Sequence, residues 1–304
     1  MRPFNRDFPA CERNPDQAGI GRRAYTGAMD PVDKALWFIE SHFAEELSLD
    51  DIAAIAGVSR FQLVRAFGYA TGTSVMRYVR ARRLTEAARA LAGGAPDILA
   101  VALDAGYGSH EAFTRAFRDQ FGVTPESVRA DRSLANLEPM EPILMTETPT
   151  ATLEPPRFET TPALLIAGLG ERFSHDGSAG IPALWQRFNE QIDHVPGKVG
   201  DAAYGVCFNT DDSGGFDYIA GVAVRDFTEL PKDYARVRIP PQRYAVFTHR
   251  EHISTIRRTV TTIWSKWLPT SGFQAADAPF FERYSPEFNG RTGLGGFEIW
   301  LAIR

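Results

Sequence analysis

The feature that most constrains this chain is a duplication. Residues 52–72 (IAAIAGVSRFQLVRAFGYATG) return at 101–122 (VALDAGYGSHEAFTRAFRDQFG). From the serine onward matching residues stand fifty apart: Ser59 and Ser109, Arg65 and Arg115, Ala66 and Ala116, Phe67 and Phe117, Gly72 and Gly122. Each copy reads as a short helix, a tight turn at Gly57 or Gly106, a serine able to cap the next helix, and that helix. The chain thus carries a helix-turn-helix twice.

The second helix of each unit has two faces. Leu63, Ala66 and Phe67 fall at helical spacing and are expected inside, which leaves Arg60, Phe61, Val64 and Arg65 outside. In the second copy Phe113, Ala116 and Phe117 go in, and His110, Glu111, Thr114 and Arg115 point away from the body. An outward helix in this motif meets base edges and phosphates in the major groove. There an arginine can hold guanine bidentately, and a carboxylate such as Glu111 can accept from cytosine N4. The alternative is an ordinary helical bundle with a solvated face, since the motif's geometry recurs in many helical proteins. Spacing favours the first reading. Residues 74–91 (SVMRYVRARRLTEAARAL) form one helical pattern with Val75, Tyr78, Val79, Leu84, Ala87, Ala88 and Leu91 as its buried set. Such a helix spans ~27 Å, approaching the ~34 Å between successive major grooves on one face of B-DNA. One chain can then fill two adjacent grooves of double-stranded DNA. An asymmetric site is expected, with flexible steps between its halves contributing to specificity through bending.

These residues also carry a family likeness. The tract GYGSHEAFTRAFRDQFGVTPESVR at 106–129, with SLDDIAAIAGVSRFQLVRAFGYATGTSVMRYVRARRL upstream, resembles the signature of AraC/XylS-type transcriptional regulators over about residues 31–132. The resemblance implies an all-α domain of two helix-turn-helix units joined by a linker helix. It places Phe61, Val64, Arg65, His110, Glu111 and Arg115 where bases are approached. Val128 departs from the family, which commonly has tyrosine there, and reads as a packing change.

Charge runs against the usual basic footprint of a DNA-binding protein. The formal net charge is −5, and the helical segment is nearly balanced, which predicts weak non-specific affinity and steep salt dependence. Its distribution is uneven. Asp30, Asp33, Glu40, Glu45, Glu46, Asp50 and Asp51 crowd the first two helices, a face suited to RNA polymerase if the chain activates. Arg77, Arg80, Arg82 and Arg83 crowd the linker helix, and Arg60, Arg65, Arg115 and Arg118 the outward helices. A length of 304 residues suggests about two domains. The division read from the sequence is a disordered arm over 1–29, a DNA-binding domain over 30–132, a proline-rich linker over 133–156 and a second domain over 157–304. No apolar stretch is long enough to span a membrane. Cys11 and Cys207 fit no metal or redox spacing, so reduced thiols in a cytoplasmic protein with no metal and no cofactor are expected.

The second domain switches to period-two patterning. Candidate strands are 163–172, 203–208, 216–225, 234–249 broken at Pro240-Pro241, 280–285 and 296–303, interrupted by amphipathic helices at 181–194 and 253–268. The expected fold is α+β, an antiparallel sheet from two strand-helix-strand-strand repeats, with both helices on one face and a ligand cleft on the other. In the last strand Phe297, Ile299, Leu301 and Ile303 suit the helices, which turns Glu298 and Trp300 to the cleft. A carboxylate beside an indole can seat a lipophilic cation, although glutamates also commonly sit on a solvated sheet face. Tyr204 and Tyr218 are expected to neighbour the cleft and Trp185 to lean over its rim, each with a core role as the alternative. His249 and His252 read as surface histidines.

The paired strand-helix-strand-strand units and the closing GFEIWLAI resemble the GyrI-like effector-binding domain over about 157–304. The resemblance implies an amphipathic pocket with an acidic floor, mapped to Glu298. Ala302 departs from the proline common near the end of that strand. Two functions are then in play. One is a DNA-binding regulator answering a small lipophilic or cationic ligand. The other is a hydrolase domain carried on a DNA-binding module, with Glu298 and Tyr204 or Tyr218 as the reacting pair.

Overall fold

The computed structural model describes residues 30–143, 150–174 and 180–304; the arm expected over 1–29 lies outside the described residues. Seven helices come first: α1 (Pro31–His42), α2 (Leu49–Ala56), α3 (Arg60–Thr71), α4 (Val75–Ala92), α5 (Ile98–Asp104), α6 (His110–Phe121) and α7 (Pro125–Asp131). Local chemistry explains their ends. Ser48 and Asp51 form a reciprocal capping box at the start of α2, which satisfies amides the helix itself leaves unpaired. Ser59 accepts from the Gln62 amide and Ser109 from the Ala112 amide, so both expected serine caps are present. The turns between paired helices pass through Gly57 at φ 74° and Gly106 at φ 83°, a conformation side chains disfavour.

The two units are not equivalent in what they pack against. The first, with the start of α4 (Val75, Tyr78, Val79), shares one continuous apolar cluster with the C-terminal domain. The second has its own core of Leu84, Leu91, Ala102, Phe113, Phe117 and their neighbours. The seven expected apolar positions of α4 are all buried, and the helix therefore joins two separate cores. Its crowd of arginines is not all exposed. Arg82 is buried, its Nε 2.8 Å from Glu40 Oε1 and its Nη1 donating to the Met140 carbonyl at 2.9 Å. Arg83 donates to the Phe43 and Glu45 carbonyls. These guanidiniums tie α4 to α1 and its following turn. Residues 140–143 run back along α4, with the Ile143 amide donating to the Tyr78 hydroxyl at 3.1 Å.

The C-terminal domain is one antiparallel sheet of eight strands: β1 (Arg157–Thr161), β2 (Leu164–Ser174), β3 (Lys198–Phe208), β4 (Gly215–Val224), β5 (Ala235–Ile239), β6 (Gln242–His249), β7 (Phe280–Tyr284) and β8 (Phe297–Ile303). Their spatial order is β1-β6-β8-β7-β3-β4-β2-β5. Helix α8 (Ile181–Asn189) lies between β2 and β3; between β6 and β7, α9 (Ile256–Thr262) continues through a π-helical turn, Ile263–Trp267, into α10 (Leu268–Thr270). Pro240-Pro241 breaks the run between β5 and β6 as expected, since proline cannot donate to a ladder. Strand β1 has no counterpart in the sequence reading because only five residues, three of them exposed, carry it.

Alternation along the strands gives the sheet two faces. Phe280, Phe297, Ile299, Leu301 and Ile303 join α8, α9 and the π-helical turn in the cluster shared with the first helix-turn-helix unit. Tyr204, Tyr244, Phe281 and Trp300 form a second cluster on the other face. His249 is buried rather than on the surface. Its Nδ1 lies 3.0 Å from Thr259 Oγ1 and its ring 4.7 Å from Phe297. Desolvation lowers its pKa, so a neutral imidazole fits the core.

Candidate functional site

Three places hold the residues singled out in the sequence. The first is the outer face of α6. Glu111, Arg115 and Arg118 are exposed and His110 and Thr114 half-buried, while Phe113, Phe117 and Phe121 anchor the opposite side. His110 Nε2 sits 3.0 Å from Glu126 Oε1. The second place is α3, where the expected outward face is largely absent. Val64 and Arg65 are 3% and 2% exposed, and Phe61 packs 6.0 Å from the Trp264 ring. The periodicity of α3 identified its inner face correctly; the C-terminal domain covers the outer one, which no local pattern encodes. Arg60 alone of the four remains exposed.

The third place is the sheet, where four of the five expected ligand residues are divided between its faces and the fifth, Trp185, lies on α8. Tyr204, Glu298 and Trp300 lie on the face away from the helices, and that face is filled. Trp300 stacks on Phe281 at 5.3 Å, and Tyr204 and Tyr244 pack beside Phe281. Glu298 accepts from Arg157 Nη2 at 2.6 Å and Trp300 Nε1 at 3.0 Å, with Arg283 Nη1 at 3.4 Å. The expectation of an available counter-charge in an open cleft is thereby corrected, because two guanidiniums already neutralise this carboxylate.

Tyr218, on the helix-covered face of the sheet, and Trp185, on α8 above it, meet a residue the sequence reading does not single out, Glu282. Its Oε2 accepts from the Tyr218 and Tyr284 hydroxyls, each at 2.9 Å, and Trp185 Nε1 donates to the Tyr218 hydroxyl at 2.9 Å. Aromatic rings enclose the group. Trp185 meets Tyr284 edge-on at 5.2 Å, Phe173 lies 6.2 Å from Tyr218, and Phe288 and Phe297 lie 4.8 and 4.9 Å from Tyr284. Gly205 faces Glu282 across the β3–β7 ladder, and its missing side chain leaves room for the carboxylate. Burial pushes the Glu282 carboxyl up to about 7, against the opposing effect of the two tyrosine hydrogen bonds. No cation partners it among the interactions described. An open recess of about 780 Å³, lined among others by Gln186, Asn189 and Phe288, adjoins the cage through Phe288. A signal for Glu282 did exist. In FFERY the phase that buries Phe280 and Tyr284 also buries the glutamate, and buried unpaired acids are rare enough to mark a site.

Among the described residues no group of histidine, cysteine, aspartate and glutamate could hold a metal, and no helix is long and apolar enough to cross a membrane.

Comparison with known proteins matches residues 52–131 to a helix-turn-helix domain and residues 154–304 to the GyrI-like small molecule binding domain. The transcriptional regulator Rob of Salmonella typhimurium is 27% identical over 287 residues, covering 91% of this chain and 94% of the relative. The TetD protein of transposon Tn10 from Escherichia coli is 41% identical over 108 residues, 36% of this chain and 77% of the relative. A solved protein bound to tetraphenylphosphonium aligns at 18% identity with a TM-score of 0.43, covering 49% of this chain and 93% of that one.

Proposed function

Because the chain belongs to the AraC-type helix-turn-helix transcriptional regulators that carry a GyrI-like small-molecule-binding domain, we propose that its effector is a lipophilic cation held in the Glu282 cage and its accessible DNA reader is α6. The observation that carries this reading is the caged carboxyl. An acid kept from water, with no counter-ion among its described contacts and ringed by aromatic faces, is poised for a cation that offers both charge and apolar area. The ligand enters from the recess beside Phe288, and displacement of Trp185 opens the cage. Binding then shifts the balance between protein conformations that engage DNA differently. Of the acids on α1 and α2, Glu40 is taken up by Arg82, and Asp30 and Asp33 lie against the C-terminal domain. Contact with RNA polymerase, which extends the same reading, therefore falls to the exposed Glu45, Glu46 and Asp51. The relatives include transcriptional regulators, and nothing in the comparisons supports the hydrolase alternative.

On the DNA side, Glu111 and Arg115 present a carboxylate and a guanidinium from the first two turns of α6, where recognition helices meet base edges. Arg115→Ala is expected to weaken the specific site by roughly 2 kcal/mol while changing non-specific binding little. Fluorescence anisotropy against specific and scrambled DNA measures both, and an unchanged specific affinity removes Arg115 from base reading. On the ligand side, tetraphenylphosphonium serves as the probe. It is expected to change tryptophan fluorescence through Trp185 and to alter promoter affinity in the same concentration range. A fluorescence response with promoter binding indifferent to the probe would separate the two halves and defeat the regulatory reading.

A further inference from the structure

The contrast between α3 and α6 has a physical cause in the C-terminal domain. At the start of α3, Arg60 pairs with Asp212, its Nε 3.0 Å from Oδ1, and with Asp50 at 3.2 Å. In the middle, the Arg65 guanidinium lies 5.1 Å from the Phe61 ring, 5.9 Å from Trp264 and 5.8 Å from Phe280. It also hydrogen-bonds with the Cys207 and Tyr69 side chains. At the end, Arg257 Nε donates to the Tyr69 carbonyl at 2.8 Å. Asp212 thus gives Arg60 the negative charge a phosphate would supply, and Trp264 and Phe280 give Arg65 the flat faces on which a guanidinium stacks.

Trp264 Nε1 and Arg65 Nε are both buried at this seat without a hydrogen-bond partner. The docked helix also cannot reach DNA, because Val64 and Arg65 are covered. Resting on the DNA-reading function proposed above, we infer that the C-terminal domain is an intramolecular competitor for α3: docking through Asp212, the Trp264–Phe280 seat and Arg257 excludes α3 from the major groove. The docked chain reads one groove through α6, and release of α3 adds the second. Arg65 also sits on the same face of β7 as the cage, since Phe280 and Glu282 alternate onto that face, so the seat and the effector site share a wall.

The test uses the full chain and the doubly substituted Asp212→Arg, Arg257→Glu chain, which alters only two exposed anchors. DNA is selected from a random-sequence pool by each protein, footprinted by hydroxyl radicals, and paired with amide hydrogen exchange over α3. The unsubstituted chain is expected to protect one groove with α3 amides slow. The variant is expected to protect two adjacent grooves, bind about tenfold tighter and exchange faster across α3. A two-groove footprint by the unsubstituted chain with α3 still as protected as in the free protein would overturn the inference. So would a variant with α3 released but footprint and affinity unchanged. A variant whose α3 stays as slow as before would also overturn it, because packing that survives loss of both anchors is permanent. If neither protein retains any DNA, the DNA-reading assignment itself fails, and that result is distinguished by being common to both.

Discussion

Affinity for a lipophilic cation such as tetraphenylphosphonium is expected to rise roughly thirtyfold between pH 5.5 and pH 8, with most of that fold-change below pH 7 and a plateau above it. The cause is Glu282. Its carboxyl is pushed up to about 7, first by desolvation, with the Tyr284 and Tyr218 hydrogen bonds holding it from rising further. A cation binds the ionised form, so at low pH it must displace a proton that the folded protein holds tightly. Stability moves in the opposite sense. Glutamate titrates near 4.5 when solvated, so between that value and about 7 the folded chain binds more protons than the unfolded one. Stability therefore falls as pH rises through this window, by roughly 3 kcal/mol in full, and the penalty is absent below it. Glu282→Gln keeps the shape and removes the titration. It is expected to flatten the pH profile of cation affinity, to leave a neutral ligand of equal shape unaffected, and to raise the melting temperature above pH 7 relative to the parent chain. Calorimetric titration at several pH values, with thermal unfolding alongside, reads all three. A cation affinity that stays flat with pH in the parent chain would remove Glu282 as the counter-charge.

A carboxyl that destabilises the fold at neutral pH yet sits on a central strand is consistent with stability given up for function. Helix α3 is covered by the C-terminal domain where its twin, α6, faces solvent. Both sites lie in the apolar cluster that joins the first helix-turn-helix unit to the sheet, so an effector bound in the proposed cage is expected to act on the body that holds α3.

Local chemistry made the double helix-turn-helix legible in the sequence. Serine caps, turn glycines and 3.6-residue periodicity depend on neighbours a few positions away, and they placed α2, α3, α5 and α6. Period-two alternation likewise found β8 and assigned Glu298 and Trp300 to the correct face. It could not show that the face is filled, because Arg157 and Arg283 reach Glu298 from β1 and β7, 141 and 15 residues away. The burial of Arg65 was equally hidden. Trp264 and Phe280 lie about two hundred residues downstream, and an amphipathic helix with an arginine on its outer face reads the same whether that face meets water, DNA or another domain. Glu282 lay within reach of the alternation argument and was overlooked for a nearby acid whose charge is already neutralised.

Gly205→Ala is expected to cost roughly 2–4 kcal/mol of stability and to abolish cation binding, through overpacking and broken hydrogen bonds at one point. A methyl group there would meet Glu282 Oε2 at 2.5 Å and Tyr218 Cζ at 2.9 Å, and would fall on the Tyr218 hydroxyl. Neither neighbour can yield cheaply. Tyr218 is 1% exposed and its hydroxyl is held by Trp185, while the Glu282 carboxylate is held by two tyrosines. The expected loss is local. The core of the second helix-turn-helix unit is separate from the cluster around the cage, so the variant is expected to keep the DNA contact of α6 at temperatures below its lowered transition. Gly108→Ala, where a methyl group meets nothing within 4 Å, is the matched control and should leave both stability and cation affinity unchanged. Denaturant unfolding and fluorescence titration of the two variants decide the matter. A Gly205→Ala chain that binds the cation as tightly as the parent would place the effector elsewhere, because the cage cannot keep its geometry with that methyl group present.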